Sequence, residues 1–234
     1  MKNQYVGDIN DFRKYGLIRS LLSGGAVTCG VFWMLTENDT RNDGNILKYL
    51  DKESSSDSLD PELFHKLKHM VHTSNDRTVA RIKQEGILPR THFFEDLIPD
   101  SESGRKAAFK SGLTTLSECD LIFFDPDNGL QIKSKQIGHK NSNKFLYLDE
   151  VEETFSCGHS VLIYQHFPRI ERKTYIANRV SELKARTNSS PIFSFATGYV
   201  CFFLIAQAAH LEMLDIGVES VRKRWGSQFT VHVH

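Results

Sequence analysis

The chain has 234 residues, 40% of them hydrophobic and including 16 Phe and 7 Tyr, enough for one sizeable core in a single α/β domain. Lys and Arg total 29, as do Asp and Glu. That balance excludes a histone-like or tail-driven binder of polyanions but leaves room for a local basic groove. The four cysteines, Cys29, Cys119, Cys157 and Cys201, form no C-x-x-C pair, which speaks against structural zinc and for buried thiols in a reducing compartment. The opening residues lack an apolar signal core. The longest apolar run, residues 199–206, falls short of the roughly 20 residues a membrane helix needs, so a cytoplasmic location with no membrane partner is expected.

Asp11 is placed to cap a helix over residues 12–22, with Leu17, Ile18, Leu21 and Leu22 on one face and Ser23-Gly24-Gly25 as its stop. Residues 27–35 read as a buried strand, followed by a polar loop over 36–45 that carries Asp39 and Asp43. Residues 51–60, rich in Ser and Asp, read as a surface loop. Asp60-Pro61-Glu62 is a helix start, with a cap, a proline and an acid in the first turn. Helical spacing runs over 63–71 and again over 76–84. A short strand is expected over 92–95, an amphipathic helix over 102–116 and an all-apolar strand over 121–124. Beyond these come a helix over 149–155, a strand over 161–164 and a helix over 169–185. Residues 192–195 and 200–206 flank Thr197-Gly198 as a hairpin. A last helix over 210–224 precedes a strand over 229–233. Apolar strands separated by helices indicate a mostly parallel sheet covered on both faces, with an antiparallel hairpin near the C-terminus.

In open α/β sheets ligands bind beyond the carboxyl ends of the strands. The residues expected there are Asp39 and Asp43 after the first strand, Glu95 and Asp96 after the second, Asp125, Asp127 and Asn128 after the third, and Gln165 and His166 after the fourth. Asp and Asn also make turns and caps, which is the bland reading for Asp39, Asp43, Glu95 and Asp96. Asp125-Pro126-Asp127-Asn128-Gly129 differs from these. Leu121-Ile122-Phe123-Phe124 delivers Asp125 to the edge of buried apolar structure, where a charge is costly unless paired or ligated. Pro126 stiffens the turn and Asn128-Gly129 permits left-handed backbone. His166 can act as acid, base or ligand. Upstream, a helix from Phe12 sets Asp11, Lys14 and Tyr15 at neighbour spacing, as a lid whose Lys14 reaches a phosphate or carboxylate.

The strand ending in Asp125-Pro126 resembles the Asp-Pro-Pro-aromatic motif of Rossmann-fold amino-methyltransferases that use S-adenosylmethionine. In outline the chain is similar to the bacterial large-subunit ribosomal RNA adenine-N6 methyltransferases. Residues 7–15 match their short N-terminal segment, Asp39-Thr40 with Gly44 their Asp-Thr turn, and residues 192–206 their penultimate hairpin. The resemblance implies a Rossmann-like fold, S-adenosylmethionine held by Asp39, Asp43, Glu95, Asp125 and Lys14, and chemistry at Asp125, Asp127, Asn128 and His166. The sequence departs from the pattern at Asp127 and Asn128, which replace the second proline and the aromatic residue, and it has no glycine-rich loop after the first strand.

Two other functions fit the residues. Asp39, Asp125 and Asp127 could hold Mg²⁺ or Mn²⁺ for a nuclease or phosphohydrolase, with His166 as base. A Rossmann-like domain without activity could serve as a binding partner in a larger assembly. For a nucleic-acid partner the candidate contacts are Lys133, Lys135, Lys140 and Lys144 with His139, and Arg169, Arg172, Lys173, Arg179, Lys184 and Arg186.

Overall fold

A computed structural model describes residues 1–38, 44–51, 58–74 and 76–234. Asp39, Asp43 and most of the 51–60 loop lie outside the described residues. The main sheet has seven strands: β1 (Cys29–Phe32), β2 (Thr91–Phe94), β3 (Leu121–Phe124), β6 (Ser160–His166), β7 (Ile192–Ala196), β8 (Val200–Ile205) and β9 (Thr230–Val233), in the order β2-β1-β3-β6-β8-β7-β9. β2, β1, β3 and β6 are parallel neighbours. β8 runs against both β6 and β7, and β9 runs against β7. β7 therefore points the same way as the parallel four, with β8 as a reversed strand wedged between. β4 (Gly129–Leu130) and β5 (Phe145–Leu146) form a separate small parallel pair. The fold is α/β and Rossmann-like.

Seven α-helices are described: α1 (Ile9–Leu21), α2 (Pro61–Lys68), α3 (Val79–Gln84), α4 (Glu102–Thr115), α5 (Leu148–Ser156), α6 (Arg172–Thr187) and α7 (Leu211–Trp225). None is long and apolar enough to cross a membrane. Asp60 caps α2, accepting from the Leu63 amide as its sequence predicts. Asp11 does not cap α1. Asp8 does, accepting from the Asn10 amide, which frees Asp11 to turn inward from the first helical turn.

Side chains alternate across a strand with period two, and that parity sorts the core. Val31, Trp33, Phe123, Leu162, Tyr164, Phe202 and Leu204 join α1, α2, α3 and α7 in one apolar layer. Phe32, Ile122, Phe124, Ile163, Cys201 and Phe203 join α4, α5 and α6 in the other. A sheet buried on both faces explains why its strands read as unbroken apolar runs. The same parity sends Asp125 and His166, two steps beyond Phe123 and Tyr164, toward the α1 face. Cys29, Cys119 and Cys201 are buried as expected, and Cys157 is exposed.

Candidate functional site

β3 and β6 are parallel and adjacent, so Asp125 and His166 emerge at one edge of the sheet. Between them and α1 lies a cavity of about 400 Å³, within the range of about 300 to 1,000 Å³ typical of small-molecule sites. Its floor is Asp125, Pro126, Asp127 and Asn128, with Tyr164 and His166 on one side. Its roof is the N-terminal segment, including Asp8, Asn10, Asp11 and Lys14, together with Gly44 and Ile46. The expected position of a pocket, between the 36–45 loop and Asp125, is where this cavity stands.

The roof is fastened by named bonds. The Asp8 carboxylate accepts from the Ile46 amide at 2.9 Å while capping α1. Tyr49 donates to the Gly7 carbonyl at 2.9 Å. The Arg77 guanidinium bridges the Val6 carbonyl, the Gly44 carbonyl and Asn45 Oδ1 at 2.6–2.7 Å. The floor is fastened from the other side. Gln165 Oε1 accepts from the Leu130 amide at 2.7 Å and its Nε2 donates to the Asn128 carbonyl at 3.3 Å. Gly129 has φ +94, and a Cβ there would meet the Gln165 side chain at 2.4 Å, so both backbone shape and space demand glycine.

At the centre, Lys14 Nζ donates to Asp11 Oδ1 at 2.7 Å and to Asp125 Oδ2 at 2.6 Å. Asp11 Oδ2 also accepts from Tyr15 at 3.0 Å and from the Gly7 amide at 3.2 Å. All three ionic side chains are at most 4% exposed. Burial alone would lower the Lys14 pKa, but two carboxylates overrule it and hold the ammonium well above its usual range. Burial raises both Asp125 and Asp11, only partly offset by Lys14. Two carboxylates thus share one ammonium, and the site binds a proton more readily than an isolated surface pair.

Asp127 differs from Asp125. It lies 2.7 Å from the Met1 amino group and 3.7 Å from Lys2 Nζ, and Thr36 donates to it at 2.9 Å. Burial raises its carboxyl, but these donors outweigh burial and bring it below the usual range. The Met1 amino group also donates to the carbonyls of Asp125 (2.9 Å) and Met34 (3.2 Å). Met34 makes the turn after β1 with φ +48, a left-handed conformation uncommon outside glycine.

His166 contacts the Tyr164 hydroxyl through Nε2 at 3.0 Å. Its outer edge meets solvent, but its inner side sits among protein atoms. Partial desolvation, then the nearby Lys14 charge, lower its pKa below 6.5, opposed by Asp125 and Asp127.

Lys14, Asp125, Asp127, Asn128 and His166 thus line one cavity. Glu95 does not. It follows β2, beyond β1 from the cavity, and its Oε1 is buried without a hydrogen-bond partner. Asp96 is exposed beside it. Asp11, Tyr15, Tyr164, Thr36, Gln165 and Asn10 are site residues that motif reading missed. The signal for Asp11 was present in its spacing to Lys14. Among the described residues no group of three His, Cys, Asp or Glu converges as a metal site; Asp39, the third expected ligand, is outside them.

Of the basic residues, Lys133, Lys140, Arg169, Arg172 and Lys173 are exposed, on loops or a helix start at the cavity's edge of the sheet. Arg172 lies over the Phe167 ring at 5.5 Å. Lys135 is half-buried and bonds the Lys140 carbonyl, and Lys144 lines the cavity. Arg179 turns inward to Gln131 and Glu182. Arg186 pairs with Asp149 and Glu152, roughly 20 Å along α6 from Arg172, so those two leave any groove at the cavity.

No family model matches the chain, and no curated protein matches it. Among solved structures, protein LPL1258 of Legionella pneumophila, described under family model DUF519, is similar in fold at TM-score 0.48 and 10% identity, covering 97% of this chain and 97% of that one.

Proposed function

We propose that this protein is a methyltransferase-like enzyme that uses S-adenosylmethionine and acts on an amine of a nucleic acid or nucleotide. The observation that carries the reading is Asp125. It is a carboxylate 2% exposed, delivered by the middle of three parallel strands to the wall of a nucleoside-sized cavity, and fixed there by an ammonium.

The residues present fit the cofactor at one further point. The buried Glu95 Oε1 lacks a donor at the end of β2, where ribose hydroxyls could supply one; the cost of an unpaired buried acceptor argues for such a partner. The cofactor supplies a methyl group activated by a sulfonium. The chain's own residues do the rest. The Asp125 carboxylate accepts a hydrogen bond from the target N–H and aims the nitrogen lone pair. Lys14 prevents that carboxylate from rotating away. The proton released when the C–N bond forms passes to Asp125, whose raised pKa makes it the better acceptor, or to neutral His166. Asn128 occupies the place of the stacking aromatic in the resembled motif, and the rings of Tyr164 and His166 offer the cavity its flat surfaces instead.

Titration with S-adenosylhomocysteine tests the reading. Saturable binding that survives in Asp125→Asn while methyl transfer is lost supports it; no binding at millimolar ligand rejects it.

A further inference from the structure

Few buried side-chain atoms lack a hydrogen-bond partner among the described residues: Asn10 Oδ1, the indole nitrogens of Trp33 and Trp225, Arg81 Nε, Glu95 Oε1 and Asp127 Oδ1. Most have a ready account. The two indoles are locked in the apolar layer under α1, where Trp225 packs against Gly16 and Trp33 against Phe93. Arg81 sits in an ion pair with Glu85 and Asp76. Asp127 Oδ1 faces an ammonium at 2.7 Å. Asn10 has no such account. Its amide nitrogen is satisfied by Asp8, but its side-chain oxygen is buried, unpaired and on the cavity wall.

Asn10 lies in the first turn of α1, one residue from Asp11 and one helical turn from Lys14 and Arg13. Arg13 reaches across to Gln228 at 3.0 Å, so this side of α1 faces the β6–β8 end of the cavity, with His166, rather than the β1–β2 end, with Glu95. A residue kept for stability alone would not hold a buried acceptor without a donor. The free energy it gives up implies a partner that arrives with the ligand.

We infer that Asn10 is the specificity-determining residue of the cavity, accepting a hydrogen bond from an N–H of the substrate base beyond the one aligned by Asp125. This rests on the reading above for the nature of the substrate, and it adds which side chain discriminates. A site whose buried acceptor must be met selects against an analogue lacking the donor far more strongly than shape selects alone.

The test compares the wild type with Asn10→Leu, which keeps size and deletes the acceptor, and Asn10→Asp, which keeps the acceptor. Adenosine, cytidine and guanosine are titrated beside inosine and uridine by calorimetry or ligand-observed NMR, with S-adenosylhomocysteine as a separate arm and thermal melting as a control. Asn10→Leu should weaken the best-bound amine-bearing nucleoside about ten-fold or more while leaving the oxo analogues unchanged. Asn10→Asp should stay within about three-fold of wild type. The melting temperature of Asn10→Leu should hold or rise, because an unsatisfied group has been removed. Unchanged nucleoside affinity in Asn10→Leu overturns the inference, and so does a lowered melting temperature with all ligands weakened alike. A loss confined to S-adenosylhomocysteine also overturns it, since Asn10 would then read the cofactor. Failure of the wild type to bind S-adenosylhomocysteine, with the nucleoside pattern intact, overturns the methyltransferase reading and leaves the role of Asn10 standing.

Discussion

Lys14 Nζ and Asp125 Oδ2 lie 2.6 Å apart, both at most 3% exposed and 111 residues apart in the chain. With Asp11 the cluster holds one positive and two negative charges. Its balance can be altered from either side, and the two alterations have opposite consequences.

Lys14→Met leaves two buried carboxylates facing each other without a cation. Breaking a buried pair from one side costs roughly 3–5 kcal/mol, so a large fall in denaturant midpoint is expected. Lys14→Met with Asp125→Asn should recover part of that loss, because only one unpaired acid then remains. A double variant no more stable than the single would show that the pair is not coupled.

Asp125→Asn converts the cluster to one cation and one anion, so the variant should fold with little change in stability. Methyl transfer should fall by about 10² or more, while the affinity for S-adenosylhomocysteine stays within a few-fold of wild type. Asp127→Asn has a different signature. The Asp127 carboxyl is held below 3.8 by its donors, so it contributes stability above pH 3.8 that is lost as pH falls through its folded value. The gap between wild type and Asp127→Asn, followed by acid denaturation, should therefore be open at neutral pH and close in acid.

His166 is lowered from 6.5 by burial and then by Lys14. The folded protein favours the neutral ring, so this group's contribution to stability declines as pH falls from 6.5 through the folded value. Its imidazole should titrate below 6.5 in a two-dimensional ¹H–¹⁵N spectrum. In Lys14→Met the midpoint should move up, since a nearby positive charge has gone. A midpoint that does not move would place the Lys14 charge too far away to matter.

Gly16 faces the Trp225 ring, and a Cβ there would stand 1.9 Å from it. Gly16→Ala should raise helix propensity yet destabilise the protein by roughly 1–3 kcal/mol through overpacking. Thermal melting checks it, with Gly25→Ala as a contrast, because Gly25 has open space but φ +84.

The strands were legible because a sheet buried on both faces makes its sequence apolar throughout, and 121–124 emerges with the bounds the sequence predicts. Asp125 and His166 on one edge followed from parallel strands. The start of α1 was misjudged because Asp8 and Asp11 are equally good caps by composition. Only the turn at Gly7, fastened to Asp11 and Tyr49, decides between them. Tyr164 and Gln165 were hidden for a related reason. Their roles depend on which face of β6 each occupies, and an apolar run carries no alternation from which to read that. Glu95 had the right strand end, but the offset of β2 from the cavity is set by strand order, which local spacing does not encode.

The packing of α1 against α7 has a consequence for how the molecule is made. Gly16 lies under Trp225 and Arg13 bonds Gln228, so a helix synthesised among the first residues is completed by one synthesised more than 200 residues later. During translation, at roughly 5–20 residues per second, Phe12, Leu17, Ile18 and Leu21 must wait for α7 with their apolar face unsatisfied. The same delay applies to Lys14, which meets Asp125 only after half the chain has emerged. Yield in a cell should therefore respond to chaperone supply and to growth temperature more than equilibrium stability alone would suggest, and truncation before Trp225 should produce an aggregate rather than a smaller folded protein.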